Sequence, residues 1–230
     1  MNLAIIPARI GSKRIFEKNI KNFNNYPIIY YSIKAAIESK IFDEVIVSTD
    51  SEKISKISKK YGAKIPFLRT KKLSGDNVPL IDVISYTLKK YQKIKKTKIN
   101  YVCCLLPTAP FIKIDDLKKG FSKIKTNKHD YVISVSKFEY PIHRAFTINK
   151  LEKIKKYSPS FLKKRSQDLD SVFFDAGIFY WSKYSNWKNK KNIFSKKTSI
   201  IKIPRWRVQD IDDVDDWKRA EFLSKILKKI

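Results

Sequence analysis

Apolar positions along the chain follow two alternating rhythms. Short unbroken runs, "LAIIPA" (3–8), "DEVIVSTD" (43–50), "YVCCLLP" (101–107) and "DYVISVSKF" (130–138), predict strands buried on both faces. Between them apolar residues recur every three or four positions in "PIIYYSIKAAIESK", "SEKISKISKKYG", "PLIDVISYTLKKYQKI" and "IDDLKKGFSKIK", the spacing of amphipathic helices. The second of these opens on Ser51, an expected N-cap, and stops at Gly62. Strand–helix alternation predicts parallel pairing with right-handed crossovers. The expected fold is α/β: a three-layer, mostly parallel sheet with helices on both faces.

The rhythm breaks between residues 136 and 171, where aromatic and apolar residues persist without a period. This stretch reads as an inserted lobe of strands and loops rather than a linker. Strand-like alternation returns in "VFFDAGIFYW" and "TSIIKIPRWRVQDID". A final helix, "VDDWKRAEFLSKILKKI", can bury Val214, Trp217, Ala220, Phe222 and Leu223 on one face. At 230 residues the default is one domain, 1–230, carrying the 136–171 insertion.

In open α/β sheets, ligands bind outside the carboxyl ends of the strands. That rule gathers "ARIGSKR", "STD" and "PTAPF" along one edge. The first of these loops, continued to Asn19, holds Arg9, Gly11, Ser12, Lys13, Arg14 and Lys18. It has neither Walker A nor dinucleotide-fingerprint spacing, yet backbone N–H groups and cations suffice to hold phosphate. Near the other end, "RVQDIDDVDD" sets Asp210 and Asp212 two residues apart, on one face of an extended segment. Two carboxylates with substrate phosphate suit Mg²⁺. Alternatively the stretch is an acidic turn in which Asp213, Asp215 or Asp216 caps the following helix. Spacing leaves both readings open.

Composition removes several classes. The net charge of +28 suggests nucleic-acid binding, but Lys supplies 42 of the 50 cations and is scattered among core-facing residues. We read it as compositional bias, with no specific nucleic-acid partner. No run approaches a membrane span of about 20 apolar residues, and Arg9 interrupts the first apolar run too early for a secretory signal. Cys103 and Cys104 are neighbours on a strand, so they face opposite ways and read as buried thiols of a cytoplasmic protein.

Six motifs in order, "IIPARIGSKRIFEKNI", "DEVIVSTDSEKI", "YGAKIPFLR", "LLPTAPF", "FDAGIFYW" and "RVQDID", resemble the CMP-sialic acid synthetase family from Leu3 to about Ala220. "YPIHRAF", "RSQDLD" and "PRWRVQDIDDVDDWKRAE" resemble its pseudaminic acid cytidylyltransferase branch. Ile10 stands where the family usually has a second glycine, leaving Gly11 as the loop's one flexible residue. Leu106 replaces a glutamine that contacts the sugar in sialic acid enzymes.

The resemblance implies a Rossmann-like nucleotidyltransferase fold. It implies transfer of CMP from CTP to the anomeric hydroxyl of a nine-carbon 2-keto acid sugar, most closely pseudaminic acid. N-acetylneuraminate and legionaminate are the alternatives, and a non-catalytic basic nucleic-acid-binding protein the remote one. Arg9, Ser12, Lys18 and Asn19 match the nucleotide loop and Arg69 a cytosine-side arginine. Arg165, Gln167 and Asp175 match sugar-side positions, and Asp210 and Asp212 the Mg²⁺ carboxylates, with Mn²⁺ able to substitute. Catalysis would rest on Arg9, Lys18 and Asp212, with Asp212 and a metal-bound water both open as the base. The insertion matches a dimerisation lobe, which implies a homodimer.

Overall fold

The computed structural model of the chain describes residues 1–156 and 165–227, so the part of the expected lobe at 157–164 lies outside the described residues. Six strands form the main sheet: β1 (Asn2–Pro7), β4 (Glu44–Ser48), β5 (Tyr101–Leu105), β6 (Tyr131–Lys137), β9 (Phe173–Lys183) and β10 (Thr198–Lys202). Their order is β10-β6-β9-β5-β1-β4. β1 runs parallel to both β4 and β5, and β10 parallel to β6, as the alternation predicts. β9 runs antiparallel to both of its neighbours. Its amino end therefore lies at the edge where the parallel strands end.

Both faces of the sheet are covered. Helices α1 (Ile29–Glu38), α2 (Glu52–Lys60) and α4 (Ile114–Lys125) bury Ile29, Ile33, Ile54 and Leu117 in one layer with Cys103 and Trp181. Helices α3 (Leu80–Ile94) and α5 (Tyr184–Lys188) bury Ile84, Leu88 and Trp187 in the other, with Cys104. The two thiols thus face opposite layers, and burial pushes both well above the ordinary thiol range. Ser51 caps α2 as expected, its Oγ accepting from the Ile54 N–H at 3.3 Å.

A third, smaller cluster departs from the expected pattern. Helix α6 (Val214–Leu227) packs not on the sheet but on the loop after β1 and on a hairpin of β2 (Asn22–Phe23) and β3 (Tyr26–Pro27). Trp217 and Ala220 are buried there with Ile15, Phe23, Ile28 and Ile211. Val214 and Phe222, expected on the buried face, are exposed, because the docking surface is too narrow to cover a full apolar stripe.

Of the stretch expected as an insertion, Ser136 and Lys137 belong to β6, and the rest follows that strand. It carries a short antiparallel pair, β7 (Phe146–Ile148) and β8 (Ile154–Lys156), with every residue of both strands exposed. Tyr140, Phe146, Ile148, Leu151 and Ile154 all present apolar surface to solvent.

Helix α4 approaches the sheet closely at Gly120, where an added Cβ would lie 2.7 Å from Cδ1 of Trp181. That indole is itself stacked on Phe42 and packed on Phe121, so it has nowhere to move. Gly120→Ala gains helix propensity of about 1 kcal/mol, but overpacking costs about 1–3 kcal/mol. We expect net destabilisation, read as a lower denaturant midpoint at unchanged m-value.

Candidate active site

The chain leaving β1 is held by its neighbours before it reaches any charge. The Ala8 N–H donates to the Ser48 carbonyl at 2.9 Å, and the Ile10 N–H to Asp50 Oδ1 at 3.2 Å. Ile10 also packs against the main core, which accounts for a bulky residue in a phosphate-type loop. Gly11, expected as the loop's one flexible residue, stands in open space and outside the left-handed region. The left-handed position falls at Glu17 (φ 48°), which opens a short 3₁₀ turn, Lys18–Ile20. That turn buries Asn19, whose Nδ2 donates to the Arg9 carbonyl at 2.8 Å and fixes the far side of the loop.

The acidic stretch caps the helix that follows it, as the second reading expects. Asp213 Oδ1 accepts from the N–H groups of Asp215 and Asp216, and Asp216 Oδ2 accepts from those of Asp212 and Asp213, so these two cap α6. Ile211 points into the third cluster and is fully buried. By alternation its neighbours Asp210 and Asp212 face the other way, into the cavity beside the opening loop. Lys18 Nζ closes the joint by donating to the Ile211 carbonyl at 2.5 Å.

The cavity measures about 630 Å³. Arg9, Ser12, Lys18, Asn19 and Arg69, five of the residues sequence reasoning singled out, line it with Asp210 and Asp212. Leu73, Val78, Leu80, Val83 and Leu106 give it an apolar wall suited to a planar ring. Arg69 is buried, donating from Nε to Ser74 Oγ at 3.1 Å and from Nη1 to the Ser48 carbonyl at 3.2 Å. Asp212 pairs with Arg14 at 3.0 Å and with Lys18 at 3.4 Å. Asp76, which the sequence did not reveal, pairs with Arg9 at 2.5 Å and Lys13 at 2.7 Å.

Asp210 makes no ion pair among the described residues. Solvent reaches it through the cavity, yet the protein around it pushes its carboxyl above the ordinary range, and the charge of Asp212 adds to the shift. A carboxyl so placed suits an added cation. Among the described residues no three His, Cys, Asp or Glu side chains gather as a metal cage. Such a cation would take its remaining oxygens from substrate and water, as Mg²⁺ does. The donor set fits.

Antiparallel β9 supports this wall from beneath. Gly177 is in the left-handed region (φ 61°), and a side chain there would reach 3.9 Å from the Asp210 carboxylate. Asp175 accepts from the Gly177 N–H at 3.0 Å and from the Tyr180 hydroxyl at 2.5 Å. Burial, then the Asp175 charge, raises the Tyr180 hydroxyl far above its ordinary value, so it remains a donor. A second cavity opens on the other side of Asp210 and Asp212, lined by Lys137, Phe138, Phe174, Arg205 and Arg219. Arg165 and Gln167 line neither cavity of their own chain. Both are exposed in the inserted lobe, where Arg165 Nε donates to Asp168 at 3.0 Å.

A cytidylyltransferase family model matches residues 3–203, and the chain belongs to that family. It is 41% identical over 225 residues, 98% of its length and 97% of the relative's, to a pseudaminic acid cytidylyltransferase of Campylobacter jejuni. It is 33% identical, over 91% of its length, to 40% of a Helicobacter pylori protein described as pseudaminic acid cytidylyltransferase and UDP-2,4-diacetamido-2,4,6-trideoxy-beta-L-altropyranose hydrolase. Among solved structures, a CMP:2-keto-3-deoxy-manno-octonic acid synthetase complexed with CTP matches 100% of the chain with a TM-score of 0.72 at 13% identity. At that identity the match speaks for the fold.

One buried ion pair ties this site to α4. Arg207 and Asp116, in the first turn of α4, approach to 2.6 Å with side chains 5% and 11% exposed. The contact is a charge–charge approach rather than an aligned hydrogen bond, since Arg207 Nη1 finds no acceptor at a proper angle. Asp116→Ala would strand a buried guanidinium three residues before Asp210, costing about 3–5 kcal/mol. Replacing both partners, as Asp116→Leu with Arg207→Met, should recover most of that loss. Urea denaturation of the two single variants and the double variant measures it.

Proposed function

We propose that the protein transfers CMP from CTP to the anomeric hydroxyl of pseudaminic acid, a nine-carbon 2-keto acid sugar, releasing pyrophosphate. One observation carries the reading: a single cavity at the strand ends sets Arg9, Lys18 and Arg69 against Asp210 and Asp212. The end-to-end likeness to the Campylobacter jejuni enzyme supports the choice of sugar.

In this reading Arg9 grips phosphate oxygens as a two-pronged donor and Lys18 acts as a point charge on the triphosphate. Ser12 and Asn19 shape the loop on the nucleotide side. Arg69, whose hydrogen bonds fix it in the wall, faces the base. Asp210 and Asp212 hold Mg²⁺, for which Mn²⁺ can substitute because the ligands are all oxygen. When bound, that cation neutralises charge on the triphosphate. Asp212 or a water beside the cation would accept the proton of the attacking hydroxyl. Catalysis is then positioning and electrostatic stabilisation, with no covalent intermediate.

The sugar acid enters from the second cavity, beyond the carboxylates. Arg205 and Lys137 there supply cations for its carboxylate, and the edge-packed pair Phe138–Phe174 supplies an apolar wall. The exposed apolar residues of β7 and β8 suit burial against a second copy in a homodimer. That arrangement would carry Arg165 and Gln167 to the partner's site rather than to their own. Among the described residues no helix is long and apolar enough to cross a membrane, and we assign the reaction to the cytoplasm, where CTP is available.

The test is pyrophosphate release from CTP across pseudaminic acid, legionaminate, N-acetylneuraminate and 3-deoxy-manno-octulosonate. Pseudaminic acid should give the highest kcat/KM. A higher value for another sugar corrects the substrate, and no release with any of them overturns the activity.

A further inference from the structure

The cations of the nucleotide cavity are not free to receive phosphate. Among the described residues five line it, Arg9, Lys13, Arg14, Lys18 and Arg69, and two carboxylates engage four of them. Asp212 takes Arg14 and Lys18, and belongs to the wall already described. Asp76 does something separate. Its Oδ1 lies 2.5 Å from Arg9 Nη1 and its Oδ2 lies 2.7 Å from Lys13 Nζ, one oxygen for each cation. Two oxygens on one centre, each on its own cation, is how a phosphate group would use the same pair.

We propose that Asp76 is a built-in competitor for phosphate: it occupies the site's cations in place of a phosphate group and thereby sets nucleotide affinity and eases pyrophosphate release. The proposal rests on reading this cavity as the CTP site.

Three observations support it. First, Asp76 is not a stability device, since its side chain is 36% exposed and its partners are 32% and 82% exposed. Ion pairs in that setting contribute little to folding. The two cations do hold the Asp76 carboxyl below its ordinary range, so it stays an anion. Second, the loop carrying it is aimed. Buried Arg69 fixes Ser74 from below, Ser74 Oγ donates back to the Thr70 carbonyl at 3.1 Å, and Arg9 leans on the Ser74 carbonyl at 3.5 Å. Asp76 follows two residues later, on the cavity wall beside Gly75. Third, the charge balance calls for such a group. A site that offered every cation to a triphosphate would offer them equally to the pyrophosphate left behind. A product held as tightly as the substrate leaves slowly, and its release then limits turnover. A tethered carboxylate that re-engages Arg9 and Lys13 discounts both ligands and hastens departure.

The experiment is calorimetric titration of CTP, and separately of inorganic pyrophosphate, into wild type, Asp76→Asn, Asp76→Glu and Glu38→Gln at low salt. Glu38→Gln removes the same charge from the outer face of α1, where the carboxylate pairs with Lys34 and with no other cation among the described residues. Asp76→Asn should bind both ligands about three- to tenfold more tightly, with the gain shrinking as salt rises. Asp76→Glu, which keeps the charge, and Glu38→Gln should both stay within about twofold of wild type, since a lone exposed pair has a small effect. Unchanged or weaker binding by Asp76→Asn overturns the proposal while leaving the CTP site intact. A wild type that binds neither ligand overturns the reading of the cavity itself.

Discussion

The site depends on a joint between the two ends of the chain. Lys18 Nζ donates to the carbonyl of Ile211, 193 residues later, and the Ile211 side chain is locked in a small apolar cluster with Ile15, Phe23 and Trp217. Cations come from the loop after β1, and carboxylates come from the segment before α6. Neither segment lies in an α-helix or a strand that would hold it in place. The cluster supplies what a ladder of hydrogen bonds would otherwise supply, and period-two alternation does the rest. Burying Ile211 turns Asp210 and Asp212 outward together.

Electrostatics then builds on that geometry. The capping pair Asp213 and Asp216 uses its oxygens on backbone N–H groups of the α6 start, which leaves Asp210 and Asp212 free of that duty. Asp212 is matched by two cations, whereas Asp210 is shifted towards its neutral form by its surroundings and by Asp212. Antiparallel β9 completes the wall, because reversal of that one strand delivers Gly177 and the Asp175–Tyr180 pair to the same edge. A sheet of entirely parallel strands would bring the other end of this strand there.

Much of this was legible in the sequence, and the failures have physical causes. The six main strands and the principal helices follow from apolar periodicity, because burial on both faces leaves long apolar runs. The reversal of β9 left no local signal, since an eleven-residue alternating strand reads alike in either direction. Arg9, Ser12, Lys18, Asn19, Arg69, Asp210 and Asp212, singled out far apart in the sequence, line one cavity. Asp76 was missed because its partners are more than 60 residues away and its own loop has no distinctive spacing. Gly11 was expected to supply the loop's flexibility, while the left-handed position fell on Glu17. Phe222 and Val214 satisfied a helical period that the narrow third cluster does not use.

Turnover depends on the Asp210–Asp212 wall and the cation loop acting together through a divalent cation if the proposed chemistry holds. The direct measurement is Mn²⁺ titration by electron paramagnetic resonance, with and without CTP, for wild type, Asp210→Asn and Asp212→Asn. Turnover under chelation is followed in parallel. Wild type should bind Mn²⁺ tightly only with CTP present, and each variant should lose about tenfold or more of that affinity while keeping the fold. Chelation should abolish wild-type turnover. Variants that bind Mn²⁺ as wild type does, or turnover that survives chelation, would contradict the account.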